Sequence, residues 1–209
     1  IQPSSNKRVL PVGEPLDFTT NIDTFFETQS LAGMLVLHKG NIRFERYGLG
    51  HSTDKRWTSF SVAKSFTSSL VGIALKDGDI ESLDDNVSDY IKGLKGSVYD
   101  GVTISQLLTM TSGVDWNESY TDPQSDVARF NHHIATDGLP TIVSYMRTLS
   151  RAHPAGEKWL YSTGETNLIG ILVEAATGQL ADKNFMDMQP GDVPAPWANT
   201  ALLEQLTGY

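Results

Sequence analysis

Ser59-Phe60-Ser61-Val62-Ala63-Lys64-Ser65-Phe66 is the stretch on which the reading of this chain turns. It opens a pattern in which Phe66, Leu70, Ile73 and Ala74 recur at helical spacing, and Asp77-Gly78 supplies a C-terminal stop. The periodicity predicts a helix over residues 61–76. A serine hydroxyl is a poor nucleophile at neutral pH and needs a neighbouring base. A lysine three residues after the serine on a helix shares its face, about one turn away. Burial of a lysine penalises its charged form, which is one way such a lysine is made able to serve as a base. A serine at a helix N-terminus also has backbone N–H groups pointing outward, where one can meet a developing oxyanion.

The spacing alone decides nothing, because the chain contains it three times: Ser4 with Lys7, Ser52 with Lys55 and Ser61 with Lys64. The first lies in a polar lead-in with three prolines, the second in a charged loop. Only the third starts a strongly periodic segment, directly after Trp57-Thr58-Ser59-Phe60. Even there, an N-cap serine followed by a solvated lysine stands as an equal alternative on spacing.

Working outward, residues 17–30 fit a helix with Ile22, Phe25 and Phe26 on one face. Gly33-Met34-Leu35-Val36-Leu37-His38 and Ile42-Arg43-Phe44-Glu45-Arg46-Tyr47 flank Lys39-Gly40-Asn41, a hairpin signal. Thr103-Ile104-Ser105-Gln106 has capping-box spacing, which predicts a short helix through Leu107, Leu108 and Met110 ending at Gly113. Residues 114–140 are polar and read as a long surface loop with at most one helical turn; such loops are often lids or binding loops. Residues 141–150 look helical. Residues 165–177 form another helix, with Leu168, Leu172 and Ala176 on one stripe and Gly178 as the stop.

Ser59 to Phe66 resembles the nucleophile helix of the serine β-lactamase and penicillin-binding superfamily. Leu83-Asp84-Asp85-Asn86-Val87, the segment from Thr103 to Gly113 and Pro154-Ala155-Gly156 also sit where that family has such segments, and Tyr161-Ser162-Thr163-Gly164-Glu165-Thr166-Asn167 resembles its second motif. The similarity runs from about residue 16 to residue 181 and is nearest the class C-like branch, which includes carboxylesterases, D-stereospecific peptidases and 6-aminohexanoate-dimer hydrolases. Tyr99-Asp100-Gly101-Val102-Thr103 through Trp116-Asn117-Glu118-Ser119-Tyr120-Thr121-Asp122-Pro123 most resembles the last of these, the nylon-oligomer hydrolase type.

The resemblance implies that Ser61 is the nucleophile, Lys64 its base and Tyr161 a second proton-transfer group. A phenolate beside a lysine ammonium can take the serine proton and return it to the leaving group. By itself, a tyrosine before a helix is more often a packing residue. The second motif often reads Tyr-x-Asn; Thr163 at the third position departs from that and suits the esterase or aminohexanoate-hydrolase branch. Tyr120 lies where aminohexanoate hydrolases place a substrate-contacting tyrosine, and an exposed aromatic on a polar loop is the equally open alternative. Trp116 and Trp159 either line the cleft or fill the core, the core being the safer expectation, and His38, His51 and His153 are expected at the surface or in structural roles. His132-His133 lacks a spaced partner ligand, so no metal site is expected.

The implied fold is α+β: a helical subdomain packed on an antiparallel sheet, with the site at the N-terminus of the Ser61 helix. The family's third motif, a Lys-x-Gly or His-x-Gly element on a strand edging the site, has no plausible equivalent after residue 181. The reading is therefore a β-lactamase-like portion over residues 1–181 without the C-terminal strands, then a tail of different origin or irregular structure over 182–209. Missing strands would leave the hairpin with an open edge and an uncovered apolar face. Residues 183–209 resemble the C-terminal end of nucleotide-sugar epimerases, and residues 198–206 suit a short amphipathic helix. No Gly-x-Gly-x-x-Gly fingerprint appears upstream, so no nicotinamide or other cofactor is expected.

The 209 residues, 39% hydrophobic and 20% charged, are ordinary for a globular protein. A net charge of -9 argues against nucleic acid and against an anionic membrane as partners. The absence of cysteine excludes disulfides, thiolate metal sites and a cysteine nucleophile. The chain begins at Ile1 without Met, which suggests a trimmed or partial chain. No signal peptide is visible, which favours the cytoplasm, although relatives of this type occur in the periplasm as well. The expected activity is cleavage of a small-molecule amide, ester or β-lactam through an acyl-enzyme on Ser61. The alternatives are an inactive truncated or fused fragment and a penicillin-binding-type sensor without turnover. Oligomeric state is left open.

Overall fold

A computed structural model describes residues 9–56 and 58–178. The expected tail over 182–209, its resemblance to epimerases and its short helix lie outside the described residues. The chain divides into two compact units, one running to Thr58 and the other beginning at Ser59.

The first unit is built on a hairpin. Strand β1 (Gly33–His38) pairs antiparallel with β2 (Asn41–Tyr47), and Lys39 and Gly40 turn the chain between them with φ of 51° and 77°. Two successive positive φ values give the primed turn whose twist matches the strands, and Gly40 takes its share without a steric cost. The register shifts between Val36 and Leu37, so that Val36 faces Phe44 and Leu37 faces Ile42. Helix α1 (Ile22–Thr28) packs Phe26 against Phe44 at 6.4 Å between ring centroids, and Phe18 meets Phe44 edge-on at 4.8 Å. The helix is shorter than the predicted 17–30 because Asn21 caps it, its side chain accepting from the Asp23 and Thr24 backbone N–H groups. Only Phe26 of the predicted face is buried; Phe25 is exposed. Leu35 and Leu37, on the other face of β1 from Val36, are also exposed.

The second unit is helical. Residues 60–62 make one 3-10 turn that leads into α2 (Ala63–Asp77), which stops at Gly78 in the left-handed region, φ 86°. There follow α3 (Val87–Tyr90), α4 (Ile104–Leu108), α5 (Asp126–Phe130), α6 (Thr141–Met146) and α7 (Thr163–Thr177). Helix α7 is central, packed by α2, α3, α4, α5 and α6. Its Leu168, Ile169, Leu172 and Val173 join Leu70, Val71 and Ala74 of α2, Ile104 and Leu107 of α4 and Val143 and Met146 of α6 in the core. Burying each large aliphatic side chain there is worth about 1.5–3 kcal/mol.

Several sequence expectations need correction. The buried face of α2 is Thr67, Leu70, Val71 and Ala74, while Phe66 is exposed, so the apolar stripe is rotated from the predicted one. Helix α4 ends at Leu108, not Gly113, because Met110 adopts φ 55° and breaks the turn. Helix α6 ends at Met146, short of the predicted 150. Residues 114–140 are not purely surface: Val114, Trp116, Val127 and Phe130 are buried, and α5 sits among them. The predicted capping box at Thr103 is present, with Gln106 closing it from both sides.

Candidate active site

The 3-10 turn at residues 60–62 places Ser61 at the N-terminal end of α2, where the first helical N–H groups lack intrahelical acceptors. Phe60, directly before it, has φ 44°, which is uncommon for a bulky residue and bends the backbone immediately before the serine. Lys64 follows one turn later, half-buried, and its Nζ donates to Ser61 Oγ at 3.3 Å. Tyr161 arrives from 100 residues away, one residue before Ser162, the N-cap of α7. Its hydroxyl donates to Ser61 Oγ at 2.8 Å, and Lys64 Nζ stands 5.3 Å from the centre of its ring.

The packing of α2 on α7 thus brings two helix N-termini together, one carrying Ser61 and the other led by Tyr161. At the start of α7, Gly164 lets the helix pack closely on α6 and the tryptophan: a Cβ there would lie 2.5 Å from the Met146 side chain and 2.9 Å from Trp116. Three polar groups that share a proton-transfer distance, with the hydroxyl exposed to solvent, are equipped for nucleophilic chemistry at an acyl carbon.

Tyr120 is 73% exposed and is not bonded to Ser61; its hydroxyl donates to Glu118 Oε1 at 2.6 Å. Burial and then that bond push the Tyr120 phenol up, and the nearby Tyr161 adds to the effect. Glu118 is a residue the sequence reading did not single out. It also receives Thr163 N–H at 2.9 Å, the Thr163 hydroxyl and the Trp116 indole N–H. No spacing pattern marks a carboxylate whose partner lies 45 residues on.

Trp116 is in the core as expected, but Trp159 is 63% exposed, its ring 6.3 Å from that of Tyr161. It stands beside the site because the residues before α7 run along the surface. His133 Nε2 lies 2.9 Å from Ser144 Oγ. Among the described residues, no group of three or more His, Asp or Glu side chains is arranged to hold a metal. A cavity of about 270 Å³ lined by Asp115, Asp126, Arg129 and Tyr145 contains none of Ser61, Lys64 and Tyr161.

A second unforeseen cluster lies inside the unit. Glu165 is buried, accepts from the Ser112 hydroxyl and, at 3.5 Å, from Tyr99, and leaves Oε2 without a partner among the described residues. Burial pushes its carboxyl up to about 7 against the opposing pull of the two hydrogen bonds.

The family model for β-lactamase matches residues 18–187. The chain is 32% identical over 148 residues to a 6-aminohexanoate-dimer hydrolase of Paenarthrobacter ureafaciens, covering 69% of this chain and 38% of that protein. It is 25% identical over 173 residues to a β-lactamase of Pseudomonas fluorescens, covering 78% and 44%. Among solved structures, a Bacillus anthracis protein provisionally assigned as a 6-aminohexanoate-dimer hydrolase matches with a TM-score of 0.68 at 20% identity, covering 84% of this chain and 50% of that one. A D-alanine carboxypeptidase of Burkholderia cenocepacia matches with a TM-score of 0.54 at 23% identity, covering 76% and 42%. The chain therefore spans less than half the length of the curated relatives it matches.

Proposed function

The chain belongs to the β-lactamase family, and from that premise we propose that it carries the acylation centre of a serine hydrolase that cleaves a small amide or ester. The observation that supports this most is the convergence of Lys64 Nζ and the Tyr161 hydroxyl on Ser61 Oγ, at 3.3 and 2.8 Å. In this reading Ser61 Oγ bonds to the acyl carbon. Its proton passes to the Lys64 and Tyr161 pair, which returns it to the leaving amine or alcohol as the carbon–nitrogen or carbon–oxygen bond breaks. Water then cleaves the acyl-enzyme, its proton restoring the serine hydroxyl. The Ser61 backbone N–H, at the positive end of α2, is the natural donor to the oxyanion.

Tyr120 is proposed as a substrate contact at the mouth, on its exposure and its hydrogen bond to Glu118, which also holds Thr163 of the Tyr161 segment. A linear amide of the 6-aminohexanoate type is favoured by the 32% identity over 148 residues to a 6-aminohexanoate-dimer hydrolase. The test is turnover of the linear 6-aminohexanoate dimer and of short p-nitrophenyl esters. Hydrolysis above background that disappears in Ser61→Ala supports the reading; equal hydrolysis by that variant overturns it.

A further inference from the structure

We propose that Glu118 is a positioning residue that clasps the Tyr120 loop to the N-terminus of α7, so that Tyr120 and Tyr161 are held on one mouth around Ser61. The proposal rests on the reading of Ser61 as the nucleophile and extends it to a residue outside the Ser61, Lys64 and Tyr161 group.

Four donors converge on this one carboxylate. Oε1 accepts from the Tyr120 hydroxyl at 2.6 Å and from the Thr163 hydroxyl. Oε2 accepts from Thr163 N–H at 2.9 Å and from the Trp116 indole N–H. An ionised carboxylate offers about four acceptor sites, and here each has a donor. Thr163 is the first residue of α7, so its N–H is one of those the helix leaves without an acceptor, and a negative charge is favoured at that end.

The loop is anchored at both ends of this cluster. Trp116 is 5% exposed and packs edge-on against Phe130 at 5.9 Å, which fixes the side of the loop that enters the core. Tyr120, four residues on, is exposed, and Glu118 holds its phenol oxygen from below. Tyr161 is two residues before Thr163, so fixing the Thr163 backbone also fixes where the Tyr161 hydroxyl meets Ser61. Thr163 occupies the position where the family motif often has Asn, and here both its N–H and its hydroxyl are committed to Glu118. The carboxylate therefore ties the Trp116–Tyr120 loop to Thr163, two residues after Tyr161.

Glu118→Gln keeps size and one carbonyl oxygen but replaces the other acceptor with an amide NH₂, which cannot accept from Thr163 N–H or Trp116. Glu118→Asp keeps the charge on a shorter arm. The full chain and both variants are compared by the rate of Ser61 labelling with a fluorophosphonate. The same proteins are titrated by ultraviolet absorbance, with Tyr120→Phe identifying the Tyr120 component. Glu118→Gln is expected to slow labelling by about 10-fold or more, since small misplacements of reacting groups carry such losses. It should also move the Tyr120 titration to lower pH, and Glu118→Asp should recover part of both. Labelling at the wild-type rate, or slowed labelling with the Tyr120 titration unmoved, would overturn the clasp. If the wild-type chain does not label at all, the reading of Ser61 fails, while the Tyr120 titration still decides the clasp.

Discussion

Ser61 is one of three serines with a lysine three residues on, and only its surroundings separate it from the other two. Ser52 spends its hydroxyl on Asp54 at 2.5 Å, and the Lys55 ammonium turns to the Gly50 carbonyl, so the lysine side chain is engaged away from the serine hydroxyl. Lys64 instead reaches back to its serine, and Tyr161 completes the group. A different residue carries the clearest pH prediction. The Glu165 carboxyl is held near 7 in the folded chain against an ordinary value of 4.5, with Tyr99 and Ser112 facing it. The folded state therefore keeps a proton that the unfolded chain has released, and the stability this provides is present below about pH 4.5 and lost as pH rises through 7. The shift corresponds to roughly 3 kcal/mol between those limits. Glu165→Gln, which is neutral at every pH, should raise the melting temperature at pH 8 and change it little at pH 5. Equal effects at both pH values in thermal melts would show that Glu165 is not the titrating group.

Elements with a local chemical signature were legible in the sequence, and elements defined by packing were not. The hairpin was readable because Gly40 and strand-forming residues mark it, and α4 because Thr103 and Gln106 cap it. The ends of α1, α4 and α6 were misplaced because Asn21, Met110 and tertiary packing set them, and α3 was not foreseen because four residues carry no periodicity. In the candidate site, the grouping of Ser61, Lys64 and Tyr161 was legible through motif and resemblance, whereas Glu118 reaches Thr163 by a fold-made approach that no spacing records. Two changes probe the elements directly. Thr103→Ala removes the cap of α4, whose Ile104 and Leu107 are fully buried, and should lower stability by about 1 kcal/mol in urea unfolding. Gly164→Ala pushes a methyl into Met146 and Trp116 and should cost about 1–3 kcal/mol in the same measurement. An unchanged unfolding midpoint in either variant would remove that packing argument.

At the scale of the whole molecule, the chain combines a hairpin unit with a helical unit that holds all of Ser61, Lys64, Tyr161, Glu118 and Tyr120. Family membership rests on a match across most of its length, and likeness to solved structures extends to the fold. No helix among the described residues is long and apolar enough to cross a membrane. What gives the molecule its proposed chemistry is long-range: α2 packed on α7 converts a tyrosine 100 residues distant into a neighbour of the serine. The most direct test of that account is to react the purified chain with a fluorophosphonate and map the adduct by peptide mass spectrometry, alongside Lys64→Ala and Tyr161→Phe. The account predicts one adduct, on Ser61, that is strongly reduced in both variants. An adduct on another serine, or labelling of Ser61 that neither variant slows, would contradict it.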